Sequence, residues 1–104
     1  MVTKSYIFML TDKDRKRHEH IVEKGKVIGF AVQYEIFFEE RWVPIVRYDT
    51  SHGYAHKDLI NPDGSKEKIF MGAVELSEAL TLADMDINEN WERYKERYFR
   101  RLKR

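Results

Sequence analysis

Between Arg47 and Asp58 the chain gathers Arg47, Asp49, His52, His56, Lys57 and Asp58 around a glycine at position 53. Three kinds of chemistry suit that set. In an acid–base reading, an imidazole with an ordinary pKa of about 6.5 moves a proton, Asp49 orients it, and Arg47 or Lys57 holds a phosphate. Cutting RNA needs no more than this, because the ribose 2′-hydroxyl supplies the nucleophile. In a metal reading, His52, His56 and either Asp49 or Asp58 form a facial set of nitrogen and oxygen ligands, without a helical HExxH frame. In a structural reading, Asp49 accepts main-chain N–H groups across the turn from Thr50 to Gly53, and the histidines are surface or satisfied core groups. His52 stands four residues before His56, so the bend decides whether the two rings converge.

The segments that must position these residues read as strands. From Val27 to Phe38, Phe30, Val32, Tyr34 and Ile36 share one parity while Ala31, Gln33, Glu35 and Phe37 share the other, the pattern of a central antiparallel strand covered on one face. Glu39 to Arg41 form a polar turn, and Trp42 to Tyr48 alternate again; Pro44 lacks a ladder donor, so it marks an edge or a bulge. His20 to Glu23, Gly25 and Val27 onward read as a hairpin. Ser5 to Leu10 is a short apolar run, and Thr11 to Arg17, charged and without helical period, reads as a loop or frayed segment. In an extended Tyr54 to Ile60, His56 and Asp58 share a face that Lys57 opposes. Asn61-Pro62-Asp63-Gly64 is a turn tetrad: Asn caps it, Pro presets φ and Gly accepts the left-handed conformation, so a hairpin returns through Lys66 to Met71.

The remainder reads as helix. Leu76, Leu80 and Ala83 give one short amphipathic series; Ile87, Trp91, Tyr94, Tyr98 and Leu102 give a second, with Asn88 as its N-cap. The rings of Trp91, Tyr94 and Tyr98 read as core rather than as a base-stacking platform. His18 and His20 share parity beside Arg15 to Arg17 and read as solvated charges, with extension of a basic surface as the other reading. The predicted fold is α+β: an antiparallel meander of five or six strands packed by two C-terminal helices.

A chain of 104 residues with 42% hydrophobic content suits one domain. It has no cysteine, which excludes disulfides, thiolate metal sites and a cysteine nucleophile. With no apolar run near the roughly 20 residues of a membrane span and no signal-peptide pattern, the expectation is a cytoplasmic protein without membrane contact. Charged residues reach 36% while Asn and Gln number four, a balance pointing to a thermophilic source. A net charge of +1 conceals asymmetry. From Ala73 to Glu92 there are six acidic residues and no Lys or Arg; from Arg93 to Arg104 there are seven Lys or Arg against Glu96. These blocks either serve solubility or meet a partner, nucleic acid or an acidic protein.

The run Arg47-Tyr48-Asp49-x-x-His52-Gly53-x-x-His56, following two paired strands and preceding an amphipathic helical tail, resembles the small prokaryotic toxins of the TumE type and their relatives. The resemblance extends over about Phe30 to Tyr98, with only the ten-residue motif specific to it. It implies a toxin encoded beside a DNA-binding antitoxin, restraining growth with RNA as the natural target class. The family often carries a further histidine two residues on; that place here is Asp58, and the Asn61 to Gly64 hairpin also departs from the pattern.

The resulting expectation is a toxin-like component with no cofactor and no resident metal. Asp49, His52 and His56 are its catalytic candidates, and Arg47, Lys57, Arg97 and Arg101 its nucleic-acid contacts. The alternative is a non-catalytic homodimeric module pairing through the strand edge near Pro44 or through the helical stripe, since aromatic residues, 13% of the chain, favour interfaces as well as cores.

Overall fold

Alternation of side chains along extended segments, interrupted by turn-forming residues, yields six strands in the computed structural model, which describes residues 1–51, 53–72 and 74–102. The strands are β1 (Val2–Thr11), β2 (Asp14–Glu23), β3 (Lys26–Phe38), β4 (Arg41–Asp49), β5 (His56–Ile60) and β6 (Lys66–Phe70), followed by the helix α1 (Leu76–Leu102). They form one antiparallel sheet in the order β1-β2-β3-β4-β5-β6. Each short hairpin places a strand beside its predecessor, so no crossover is needed.

Two expectations about elements are corrected. Thr11 to Arg17 is not a loop: Thr11 ends β1, and Asp14 opens β2, in register with Ile36 of β3. The missing signal has a physical reason, because the inward positions of β2 are Asp14, Lys16 and His18, all buried, rather than apolar residues. The two predicted helices are one, 27 residues long. Neither Gly nor Pro interrupts Leu76 to Leu102, and the Asn88 side chain is engaged elsewhere, its Oδ1 accepting from Lys16 Nζ at 3.0 Å instead of capping a helix start.

The helix lies on one face of the sheet, chiefly over β3. Val32, Tyr34 and Ile36 meet Ala79, Ala83 and Ile87 there, each no more than 1% exposed. Tyr34 also contacts Trp91 edge-to-face, with ring centroids 5.9 Å apart. Pro44 sits at a bulge, not an edge. The register steps from Tyr34↔Val46 to Glu35↔Pro44, leaving Ile45 as the extra residue, and β4 is flanked by β3 and β5. The dimer edge expected near Pro44 is therefore not an edge; the free edges belong to β1 and β6. The Asn61 to Gly64 turn closes as read, Gly64 N–H donating to the Asn61 carbonyl at 2.9 Å with Gly64 at φ +87°.

Candidate functional site

Strand parity divides the motif between the two faces of the sheet. Arg47 and Asp49 project from β4 on the face opposite the helix, and β5 brings His56 directly across from Asp49 and Asp58 across from Arg47. On β3, Gln33 stands opposite Arg47. The outcome is a hydrogen-bonded row that crosses strands. His56 Nε2 lies 2.8 Å from Asp49 Oδ1. Asp49 Oδ2 accepts from Arg47 Nε at 2.7 Å, and Arg47 Nη1 donates to Gln33 Oε1 at 2.7 Å. The Gln33 amide donates to Glu35, which also receives Arg15 Nε at 2.5 Å. Arg15 in turn stacks over Trp42, 4.1 Å from the ring centroid.

Burial makes this row electrostatically tight. His56 is 2% exposed and Asp49 8%. Burial alone would raise the Asp49 pKa, but hydrogen bonds from Arg47 and the Ser51 N–H, with the charges of His56 and Arg47, hold its carboxyl below the usual range. An ionised Asp49 accepts from His56 Nε2–H, which orients the imidazole ring. The local backbone supports this arrangement: Asp49 Oδ1 also accepts from Ser51 Oγ, and Gly53 at φ +82° makes the bend that returns the chain as β5.

Next to His56 runs a groove of about 850 Å³, lined by Tyr54, Lys68 and Phe70 and by Val74 to Leu76 at the start of the helix. A smaller recess of about 200 Å³ lies on the other side of Arg47, between Ser5, Arg17, Glu19 and Gln33. An imidazole oriented by a carboxylate, a guanidinium on that same carboxylate and a lysine lining the groove are groups that can move a proton next to an anion. Among the described residues no set of three metal-ligating side chains converges.

The structure thus brings together Arg47, Asp49 and His56 of the expected site. Asp58 shares their face, 3.8 Å from Lys68 Nζ. His52 lies outside the described residues. Lys57 does not join them. It points to the helix side, where it donates to Tyr94 and lies 3.3 Å from Asp86 Oδ2. Tyr48 and Tyr94 both donate to that carboxylate; burial would raise its pKa, yet these bonds, the Lys57 charge and Asn90 lower it. Arg97 and Arg101 are both committed to Glu67 of β6, Arg101 at 3.6 Å.

Sequence reasoning overlooked Gln33 and Glu35 as links of the row, although their shared parity was visible. It also misread His18, which is not a solvated charge. His18 is 3% exposed and stacked on Tyr6, ring centroids 4.3 Å apart. Its Nε2 lies 2.7 Å from His20 Nδ1, and its Nδ1 lies 3.4 Å from Asp84 Oδ1.

No curated protein and no solved structure matches this chain. Residues 1–104 match a family model described as a domain of unknown function, DUF7718, and the chain belongs to that family.

Proposed function

We propose that the chain is the toxin-like component of a toxin–antitoxin pair and acts on RNA by acid–base chemistry at His56. The observation that carries this reading is the 2.8 Å pairing of His56 with an Asp49 that Arg47 simultaneously holds, at the wall of an open groove. For this step a ribose 2′-hydroxyl must reach the His56 ring, which is 2% exposed. His56 takes its proton, the 2′-oxygen attacks the adjacent phosphorus as the 5′-oxygen departs, Asp49 stabilises the imidazolium that forms, and Arg47 offsets charge developing on the phosphate. His52 is the second proton-transfer candidate, and the motif's resemblance to TumE-type toxins supports both the target class and an antitoxin partner. His56→Gln tests it, because glutamine keeps an amide donor near the Nε2 position facing Asp49 but cannot exchange a proton. Growth inhibition on induced expression should disappear while the unfolding midpoint stays within a few degrees; inhibition that persists refutes the reading.

A second reading, a homodimeric interaction module, is favoured by β1. This ten-residue edge strand carries Val2, Tyr6, Ile7, Phe8 and Met9, each at least 40% exposed, and Lys4 as its only charge. A long, nearly uncharged edge is a template for pairing with a second copy. Light scattering should then give a dimer that Ile7→Lys converts to monomer; a monomeric native chain removes this reading.

A further inference from the structure

The helix leaves the outer part of its own sheet face bare. Lys4, Tyr6 and Phe8 of β1 stand there opposite His20, His18 and Lys16 of β2. Tyr6 is 40% exposed and Phe8 52%, and their rings meet edge-to-face with centroids 5.0 Å apart. With Tyr6 stacked on His18 and set edge-on to Phe8, the exposed Phe8 ring is a face on which a planar base stacks, and Tyr6 is its side wall. Lys4 is exposed at one end, and Lys16 Nζ lies 5.2 Å from the centre of the Phe8 ring.

Behind the platform, protons are ordered by geometry. Burial disfavours the charged form of His18 and outweighs the pull of Asp84, so its pKa falls below the usual histidine value. A neutral His18 facing the Asp84 carboxylate donates through Nδ1 and keeps its lone pair on Nε2. That lone pair, 2.7 Å from His20 Nδ1, requires a proton on the latter atom. With a proton on Nδ1, the ring nitrogen of His20 left for a ligand is Nε2, at the half-exposed end of the relay.

The geometry points to a ribonucleotide-binding site on this surface: the base stacks on Phe8 against the edge of Tyr6, Lys4 takes the phosphate, and His20 Nε2 accepts a hydrogen bond from the ribose 2′-hydroxyl. The site lies on the face of the sheet opposite His56 and does not rest on the reading given above. Charge favours this occupant, since Lys4 is exposed and cationic and the one carboxylate in the cluster, Asp84, is neutralised by the buried Lys16 at 3.0 Å and engaged by His18. The 2′-hydroxyl is the group that distinguishes RNA from DNA, and an acceptor held by its tautomer is suited to reading it.

The test is fluorescence anisotropy with a labelled single-stranded oligouridylate and its deoxy counterpart, using the whole chain. The ribo form should bind more tightly. Phe8→Ala, at an exposed position, should weaken both by about tenfold or more. His20→Asn keeps a donor near the Nδ1 position for His18 but removes the Nε2 acceptor, so it should erase the ribo preference while retaining most deoxy affinity. Displacement by uridine monophosphate at similar concentrations identifies a free nucleotide as ligand, and displacement only by a strand identifies a nucleic acid; either supports the site. Equal affinity of the native protein for the two strands, unchanged binding in Phe8→Ala, or a proton found on His20 Nε2 by long-range nitrogen–proton correlation overturns it.

Discussion

Lys16 of β2 and Asp84 of α1 meet at 3.0 Å, with the lysine side chain only 5% exposed. It is one of several pairs between the charged C-terminal third and the sheet. The acidic half of the helix docks on lysines of the sheet, Asp84 on Lys16 and Asp86 on Lys57. The basic half docks on carboxylates, Lys95 on Asp14 at 3.1 Å and Arg97 on Glu67. The sheet meets part of each charge block, acidic residues toward the start of the helix and basic ones toward its end.

Removing one side of a buried pair leaves a charge uncompensated. Asp84→Ala should therefore destabilise the fold by about 3 kcal/mol, whereas Lys16→Met combined with Asp84→Leu should be close to neutral. Urea denaturation of the two variants measures the contrast; equal losses would show that the pair is not what seats the helix.

Acid should unfold the protein in two stages. His18 has a folded-state pKa below its unfolded value, so the unfolded chain binds the extra proton as pH falls through about 6.5, and stability declines from there. Around the ring stand Asp84, His20, Lys16 and Tyr6. Asp14, Asp49 and Asp86 likewise have depressed folded pKa values, each despite burial and because of hydrogen-bond donors or cations beside the carboxyl. Their contribution is complete above the unfolded aspartate value of about 4 and is lost as pH falls below it. His18→Gln should remove the first decline and leave the second, as read from unfolding midpoints across pH.

The β3–β4 turn holds an unused stability gain. Glu39 and Glu40 lie at φ +52° and +63°, the left-handed pair that a two-residue hairpin turn needs and that Asn-Gly adopts more readily. Replacing them with Asn and Gly should raise stability by about 1 kcal/mol, seen as a higher thermal midpoint.

Asp49→Asn keeps the shape of the side chain but removes the charge that orients His56. RNA turnover, if His56 moves the proton, should fall by about a hundredfold or more, with binding of the strand much less affected. Loss of both in parallel would mark Asp49 as a support of the fold alone.

The sequence disclosed those parts of the molecule whose cause is local. Alternation from Phe30 to Ile36 identified the covered face of β3, the Asn61 to Gly64 tetrad identified its hairpin, and Pro44 identified a break in the ladder. The same alternation contained the candidate site, since Arg47 and Asp49 share a parity and Lys57 is out of phase with His56. What was hidden depends on distant partners. β2 carries polar residues inward because their partners are on the helix, as with His18 and Asp84, 66 positions apart. No pattern within β2 announces that, so a buried relay resembled a solvated basic run, and an Asn88 engaged by Lys16 resembled the start of a second helix.

The strands stand side by side in the order in which the chain is synthesised. Each new hairpin can zip onto the one before as it leaves the ribosome, with only short loops to close. The last event is different in kind: the helix must find a surface made tens of residues earlier, and Lys95 must reach Asp14 across 81 positions of chain. Until the helix has emerged, the apolar side of a completed sheet is left uncovered, so the nascent protein is most prone to aggregate in that interval.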